Sequence, residues 1–439
     1  MPFQLDPTFA QDPAKHFDTL QIHAGLEPDP TTGAAALPIY ASAAFQFDSA
    51  PDAAAKFALS KPGNVYGRLT NTTTDAVAAR VAAIEGATGA VAVASGHAAE
   101  ILALTNIVGA GDHIVASDSL YGGTWNIFLH TLGDLGVETT FVENNDIDAF
   151  VAATKENTKL WYVETIGNPL VDVADVPAIV EAANSLKEPV PVFVDNTFAT
   201  PYLYRPADDG AAVVIESLTK WIGGHGATLG GAVIDTGKFD WKKTPGKFPT
   251  LTEPDPSYHG LVFADAAPAA PFSTRVLANK LRDFGPTLSP YAAQLIGIGI
   301  ETLSLRAQRH SDNALAVAKY LESHPKVSWV RYSGLENDPS HEVASRILHN
   351  GFGGVVVFGV KGGRDAGLKV VDNVKLFTHL ANVGDAKSLI IHPASTTHSQ
   401  LTPEQLKAAH LTEDLIRLSV GIENVDDIIA DLDRALENA

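Results

Sequence analysis

Between residues 75 and 235 the chain alternates short, continuous apolar runs with segments of helical period, which is the strongest constraint on its fold. The runs fall at 90–94, 113–117, 139–142, 160–164, 192–195, 213–217 and 232–234. A strand with one wet face alternates apolar with polar residues, whereas a continuous run marks a strand covered on both sides. Strands separated by helices need crossover connections, which are right-handed and leave the joined strands parallel. The expectation is an α/β chain with a mainly parallel sheet covered by helices. At 439 residues the chain exceeds what one small core can organise, so a smaller second domain is expected.

Residues 1–60 mix proline, alanine and polar residues without a period and read as an N-terminal extended arm. A helical pattern at 305–324 stops at Pro325, which places the boundary near its start. This divides the chain into the arm, a large domain at 61–300 and a small C-terminal α+β domain at 301–439. The Pro/Gly-rich stretch 244–271 reads as an ordered surface excursion. In the small domain, strands are expected at 327–332, 354–360 and 415–420, with a loop of small polar residues at 384–399 and a closing helix.

Composition excludes several functions. A net charge of −20 would repel nucleic acid and anionic membranes alike. Without cysteine there is no disulfide, thiolate metal site or cysteine nucleophile. The 15 histidines show no His-Glu-x-x-His spacing, so no metal is expected. No apolar stretch is long enough to span a bilayer, and the N-terminus lacks a leader's basic and apolar regions. A soluble, cytoplasmic protein is expected.

The chemistry-bearing residues gather at strand ends. Asp195 closes the run Val190-Pro191-Val192-Phe193-Val194, and Lys220 follows Val213-Val214-Ile215-Glu216-Ser217-Leu218-Thr219 and precedes Gly223-Gly224-His225-Gly226. A carboxylate at the tip of one buried strand and an amine just past the next is what pyridoxal phosphate chemistry needs. The amine condenses with the aldehyde, and the carboxylate pairs with the protonated ring nitrogen. Asp195 also reads as a helix cap, and Lys220 as a surface charge. The apolar strand and Gly-rich turn around Lys220 favour the chemical reading. Ser217 and Thr219 put hydroxyls on one side by period two, suited to phosphate oxygens. Ser95-Gly96-His97 is either a phosphate-binding turn or an ordinary capped βα turn. Tyr121 is either a ring that stacks on a cofactor or a packed aromatic. Asn168 suits a ring oxygen, whereas Glu164 reads as hydrogen-bonded scaffolding. Arg417, alone in the apolar run 415–420, requires an anionic partner.

Taken in order, these segments resemble the Cys/Met-metabolism family of pyridoxal phosphate enzymes from about residue 17 onward. The resemblance is carried by Tyr66-Gly67-Arg68, Ser95-Gly96, Tyr121-Gly122, Glu164-Thr165-Ile166-Gly167-Asn168-Pro169, Val194-Asp195-Asn196-Thr197, Ser217-Leu218-Thr219-Lys220 and Arg417-Leu418-Ser419-Val420-Gly421-Ile422-Glu423. Lys220-Trp221-Ile222-Gly223-Gly224-His225-Gly226, 299–306 and 382–398 are most similar to the branch that transfers sulfide to O-acetylhomoserine. The resemblance implies an aspartate aminotransferase-like fold with pyridoxal 5'-phosphate on Lys220, Asp195 at the ring nitrogen and Tyr121 stacked on the ring. Thr197, Ser217, Thr219 and the amides of Gly96 and His97 would also serve the cofactor. Tyr66 and Arg68 would complete a neighbouring subunit's phosphate site, in a dimer of active dimers. Arg417, Ser388, Asn168 and Tyr66 would bind the substrate. The implied activity is γ-replacement on O-acetyl-L-homoserine by sulfide or a thiol. A cystathionine-forming enzyme, a γ-lyase and an inactive scaffold of the same fold are the alternatives. Methionine γ-lyases typically carry cysteine where Gly123 stands, which counts against the γ-lyase. Two departures from the family stand out: Asn71-Thr72-Thr73 replaces Asn-Pro-Thr, and His97 replaces Gln or Met.

Overall fold

The computed structural model describes residues 15–26, 28–29, 31–396 and 411–439. Residues 1–14 of the expected arm, and His398, lie outside these. Within the described part of 1–60, Phe17–His23 and Ala50–Phe57 are helical.

Among the described residues, seven strands form the larger sheet: β1 (Gly89–Val93), β2 (His113–Ser117), β3 (Glu138–Val142), β4 (Thr158–Glu164), β5 (Val192–Asp195), β6 (Val213–Glu216) and β7 (Gly231–Asp235). Their order is β1-β7-β6-β5-β4-β2-β3, and only β7 runs against its neighbours. The apolar runs map onto these strands to within two residues. β2, β6 and β7 are buried along their whole length, whereas the edge strand β3 is mostly half-buried. β7 departs from the rest because it follows β6 through a turn rather than a crossover helix.

Helices α1 (Thr72–Glu85), α2 (Gly96–Ile107), α3 (Gly122–Asn126) and α4 (Val176–Ser185) lie between strands or precede them. Helices α5 (Pro290–Ile300) and α6 (Leu303–Ser323) lead to the smaller sheet. That sheet contains β8 (Val327–Arg331), β9 (Val355–Val360), β10 (Thr378–His379), β11 (Leu389–Ile391) and β12 (Leu415–Ser419), in the order β10-β11-β12-β9-β8. Helices α7 (Gly363–Asn373) and α8 (Val425–Glu437) pack against each other beside it. Separate apolar clusters flank the large sheet, and a third fills the space between the small sheet and α6, α7 and α8.

Two expectations fail. The loop expected at 384–399 contains β11, a three-residue strand buried between β10 and β12. A strand that short carries no readable period. The stretch 244–271 is ordered but is not a surface excursion: Phe248, Leu251 and Phe263 are buried, and Phe248 meets Trp241 edge-on at 5.2 Å. Pro249, Pro256 and Pro271 each open a short helix, and none keeps the aromatic residues between them out of the core.

Candidate active site

β1, β2, β4, β5 and β6 run the same way, so the loops that follow them converge at one edge of the sheet. Ligand sites in open α/β sheets form there.

Asp195 ends β5. Its Oδ1 accepts the Thr197 amide at 2.9 Å, and the Thr197 hydroxyl accepts the Ser217 amide at 2.8 Å. The Asp195 carboxylate is thereby locked to the end of β6. Burial, and then the negative charge of Glu100, raise its pKa to about 7. A carboxylate so placed is complementary to a cation or to an N–H.

Lys220 lies in the turn after β6 and donates from Nζ to Asn382 Oδ1 at 2.6 Å. Burial, and then the charge of Arg417, lower its pKa to about 8. The turn is fastened by Arg306 of α6, a buried cation that donates to the carbonyls of Trp221 at 2.6 Å, Ile222 at 3.1 Å and Gly299 at 2.6 Å. Gly224 takes φ of +71°, and a Cβ there would run into the Arg306 guanidinium. The Gly-rich sequence after Lys220 is thus explained by close packing as well as by the turn.

At the end of β1, Ser95 caps α2, its hydroxyl accepting the Ala98 amide at 3.1 Å. The first amides of a helix have no intrahelical acceptor and attract an anion. A Cβ on Gly96 would sit 2.8 Å from Ser217 Cβ, so the α2 N-terminus and the end of β6 approach over a space only glycine leaves open.

Tyr121 precedes α3, and its amide donates to Glu164 Oε1 at 2.6 Å. Glu164 also accepts from the Asn168 amide, and burial, then Asp195, push its pKa well above the usual carboxylate range. It is the scaffolding expected of it, joining two loops at the site. The Tyr121 ring is 45% exposed and stacks on His97, with centroids 5.6 Å apart.

Arg417 lies in β12 between β9 and β11, and donates from Nη1 to Asn168 Oδ1 at 3.0 Å. Burial lowers its pKa to about 10. No carboxylate among the described residues pairs with it.

Other predicted residues have contacts of their own. Ser388 is fully buried; its hydroxyl donates to Glu423 Oε2 at 3.0 Å and accepts the Gly421 amide at 2.9 Å. The Thr219 hydroxyl donates to the Gly230 carbonyl at 3.1 Å and accepts the Gly230 amide at 3.0 Å. Both hydroxyls hold backbone. Tyr66 and Arg68 are exposed and stack on each other, and Arg68 donates to the Arg282 carbonyl. Sequence reasoning missed Asn382, Arg306 and Glu100. Gly384, at φ of +73° and packed against the Trp221 backbone, was the available signal for the Asn382 loop.

A half-buried amine with a lowered pKa, a buried carboxylate at the neighbouring strand end and a helix N-terminus left open by glycine suit an aldehyde cofactor that carries a ring nitrogen and a phosphate. With this sheet, they define an α/β enzyme that uses pyridoxal 5'-phosphate. The chain matches, over residues 18–437, the family described as Cys/Met metabolism PLP-dependent enzyme, and it belongs to that family. It is 50% identical to the homocysteine synthase of Schizosaccharomyces pombe over 427 residues, 97% of this chain and 99% of that protein. It is 48% identical to the O-acetyl-L-homoserine sulfhydrylase of Leptospira meyeri, with 96% of each chain covered. A solved protein from Campylobacter jejuni, which carries N'-pyridoxyl-lysine-5'-monophosphate, superposes with a TM-score of 0.92 at 39% identity. That match covers 96% of this chain and all of the other.

Proposed function

We propose that this enzyme converts O-acetyl-L-homoserine and sulfide, or a small thiol, into L-homocysteine, or L-methionine, and acetate. The observation that carries this reading is Arg417: a buried guanidinium with no carboxylate partner among the described residues, beside Asn168 and within electrostatic reach of the reactive lysine. An α-amino acid brings the missing carboxylate. The names of the relatives above support the donor and the acceptor.

Pyridoxal phosphate would be held by Lys220, Asp195, Tyr121 and the amides of Gly96 and His97, and when bound would supply the electron sink. The residues of the chain do the rest. Arg417, Asn168 and Asn382 orient the amino acid by its carboxylate. Lys220, with its pKa lowered to about 8, is neutral often enough to take and return protons at carbon. Asp195 holds a proton on the ring nitrogen. Tyr121 fixes the ring plane, while the scaffold of Glu164 and Asn168 keeps that loop still. Ser217 and Thr197 would hold the phosphate, and Thr219 also holds the turn through Gly230.

The unit of activity in this proposal is a dimer, with Tyr66 and Arg68 reaching into a partner's site, and two such dimers form a cytoplasmic homotetramer. The division into an arm at 1–60, a large domain at 61–300 and a small domain at 301–439 belongs to the same reading.

Lys220→Ala is expected to lose both turnover and the visible absorbance of bound cofactor. Full turnover in that variant would refute the assignment. Offering O-acetylhomoserine with sulfide, methanethiol or cysteine in turn ranks the acceptors, and cysteine as the preferred one would make the enzyme cystathionine-forming instead.

A further inference from the structure

Around Tyr121, the His97 imidazole, the Glu100 carboxylate and the bare Cα of Gly123 contact one another in a way the roles above do not use. His97 stacks on the Tyr121 ring, the planes 24° apart. Glu100, one turn further along α2, is only 2% exposed. Its Oε1 accepts the hydroxyls of Thr124 at 2.7 Å and Tyr162 at 2.8 Å. Its Oε2 has no hydrogen-bond partner and lies 3.8 Å from His97 Nε2. Thr124 belongs to α3, three residues beyond Tyr121, so one buried carboxylate reaches both the imidazole and the helix that carries the tyrosine. Gly123 completes the arrangement. A Cβ there would fall 2.5 Å from His97 Nε2 and 2.5 Å from Tyr121 Cε1, so the imidazole and the phenol ring fill the space a side chain at 123 would need.

We propose that His97 and Glu100 form a brace that sets the orientation of the Tyr121 ring before the cofactor arrives, and that the absent side chain at position 123 is a requirement of that brace. This rests on the reading that Tyr121 lies against the cofactor ring. Burial holds the His97 pKa below its ordinary value, so the imidazole in the stack is neutral. Its Nε2–H tautomer presents a donor to Glu100 Oε2, and a small closing movement satisfies a buried oxygen that is otherwise costly. The other charges felt at His97 are those of Asp195 on β5 and Lys220 after β6. His97 is a positioning residue: it acts through Tyr121 and touches neither reactant.

The test is a double-mutant cycle on the full chain, read as the cofactor dissociation constant from absorbance titration, the absorbance band of bound cofactor and the melting temperature without cofactor. Gly123→Ala is expected to weaken cofactor binding about tenfold when His97 is present and less than about threefold in the His97→Ala background. His97→Ala is expected to bind cofactor about tenfold more weakly, and His97→Gln, which keeps an N–H for Glu100, to recover most of that loss. An additive cycle, or His97→Ala binding as tightly as the parent, overturns the brace. Should Gly123→Ala fail to fold, the comparison of Gln with Ala at position 97 decides alone. A parent chain that binds no cofactor defeats the proposed function and the brace with it, whereas a parent that binds cofactor while the cycle is additive defeats the brace only.

Discussion

Arg417 sits in the interior strand of a sheet, where a cation costs several kcal/mol unless something answers it. Asn168 offers one neutral oxygen, at 3.0 Å, no carboxylate among the described residues joins it, and a ligand carboxylate would answer the charge. Removing the side chain takes away the carboxylate anchor and one of the charges that lowers the Lys220 pKa, while the Lys220–Asn382 hydrogen bond stays in place. Arg417→Ala is therefore expected to reduce kcat/KM for the amino-acid donor by about 2–5 kcal/mol, while the absorbance of bound cofactor persists. An unchanged kcat/KM removes Arg417 from the site. At this scale, legibility followed context. Asp195, Lys220 and Arg417 announced themselves because each is a charged residue inside or at the end of an apolar run. Asn382 did not, because its partner lies 162 residues away and a loop asparagine has no pattern around it. For Thr219 and Ser388, period and resemblance pointed to their hydroxyls but could not show that each also holds backbone, at Gly230 and at Gly421.

Where α1 meets β6, the packing of two elements buries two carboxylates together. Glu85 ends α1, Glu216 ends β6, and both are fully buried. Burial raises both pKa values, Glu85 to about 8, and Glu216 is raised further by Glu85 itself and by Asp195. Because the folded pKa lies above the unfolded one, the stability of this contact is complete below about pH 4.5 and is lost as pH rises through about 8. Glu216→Gln removes one of the two protons at issue. The variant is expected to gain about 1–3 kcal/mol relative to the parent on going from pH 6 to pH 9, read from urea midpoints. Parallel pH profiles for the two proteins would show that the pair does not titrate in this range. Strand positions at this scale were readable where an apolar run stood out between helical segments, down to three residues at 232–234. β11 and the aromatic residues at 248–263 were not, since burial by distant elements decided their state.

Tyr66 and Arg68 lie at the surface of the chain, beside Arg282 rather than Lys220. If they serve a partner's site, a heterodimer of an Arg68→Ala chain and a Lys220→Ala chain contains one site with both lesions and one with neither. Co-expression of the two inactive chains is expected to restore activity, measured on purified heterodimers; heterodimers as inactive as either parent would exclude exchange of the arm.

The order of strands and helices, the covered faces of the sheet and the two ionisable residues at neighbouring strand ends followed from sequence alone, because periodicity and burial preference act over a few residues at a time. Only the tertiary structure decided which hydroxyls remain available, which asparagine meets Lys220, and that His97, Glu100 and Gly123 converge on Tyr121. Those outcomes depend on close packing between segments far apart in the chain, and close packing leaves no trace in local composition.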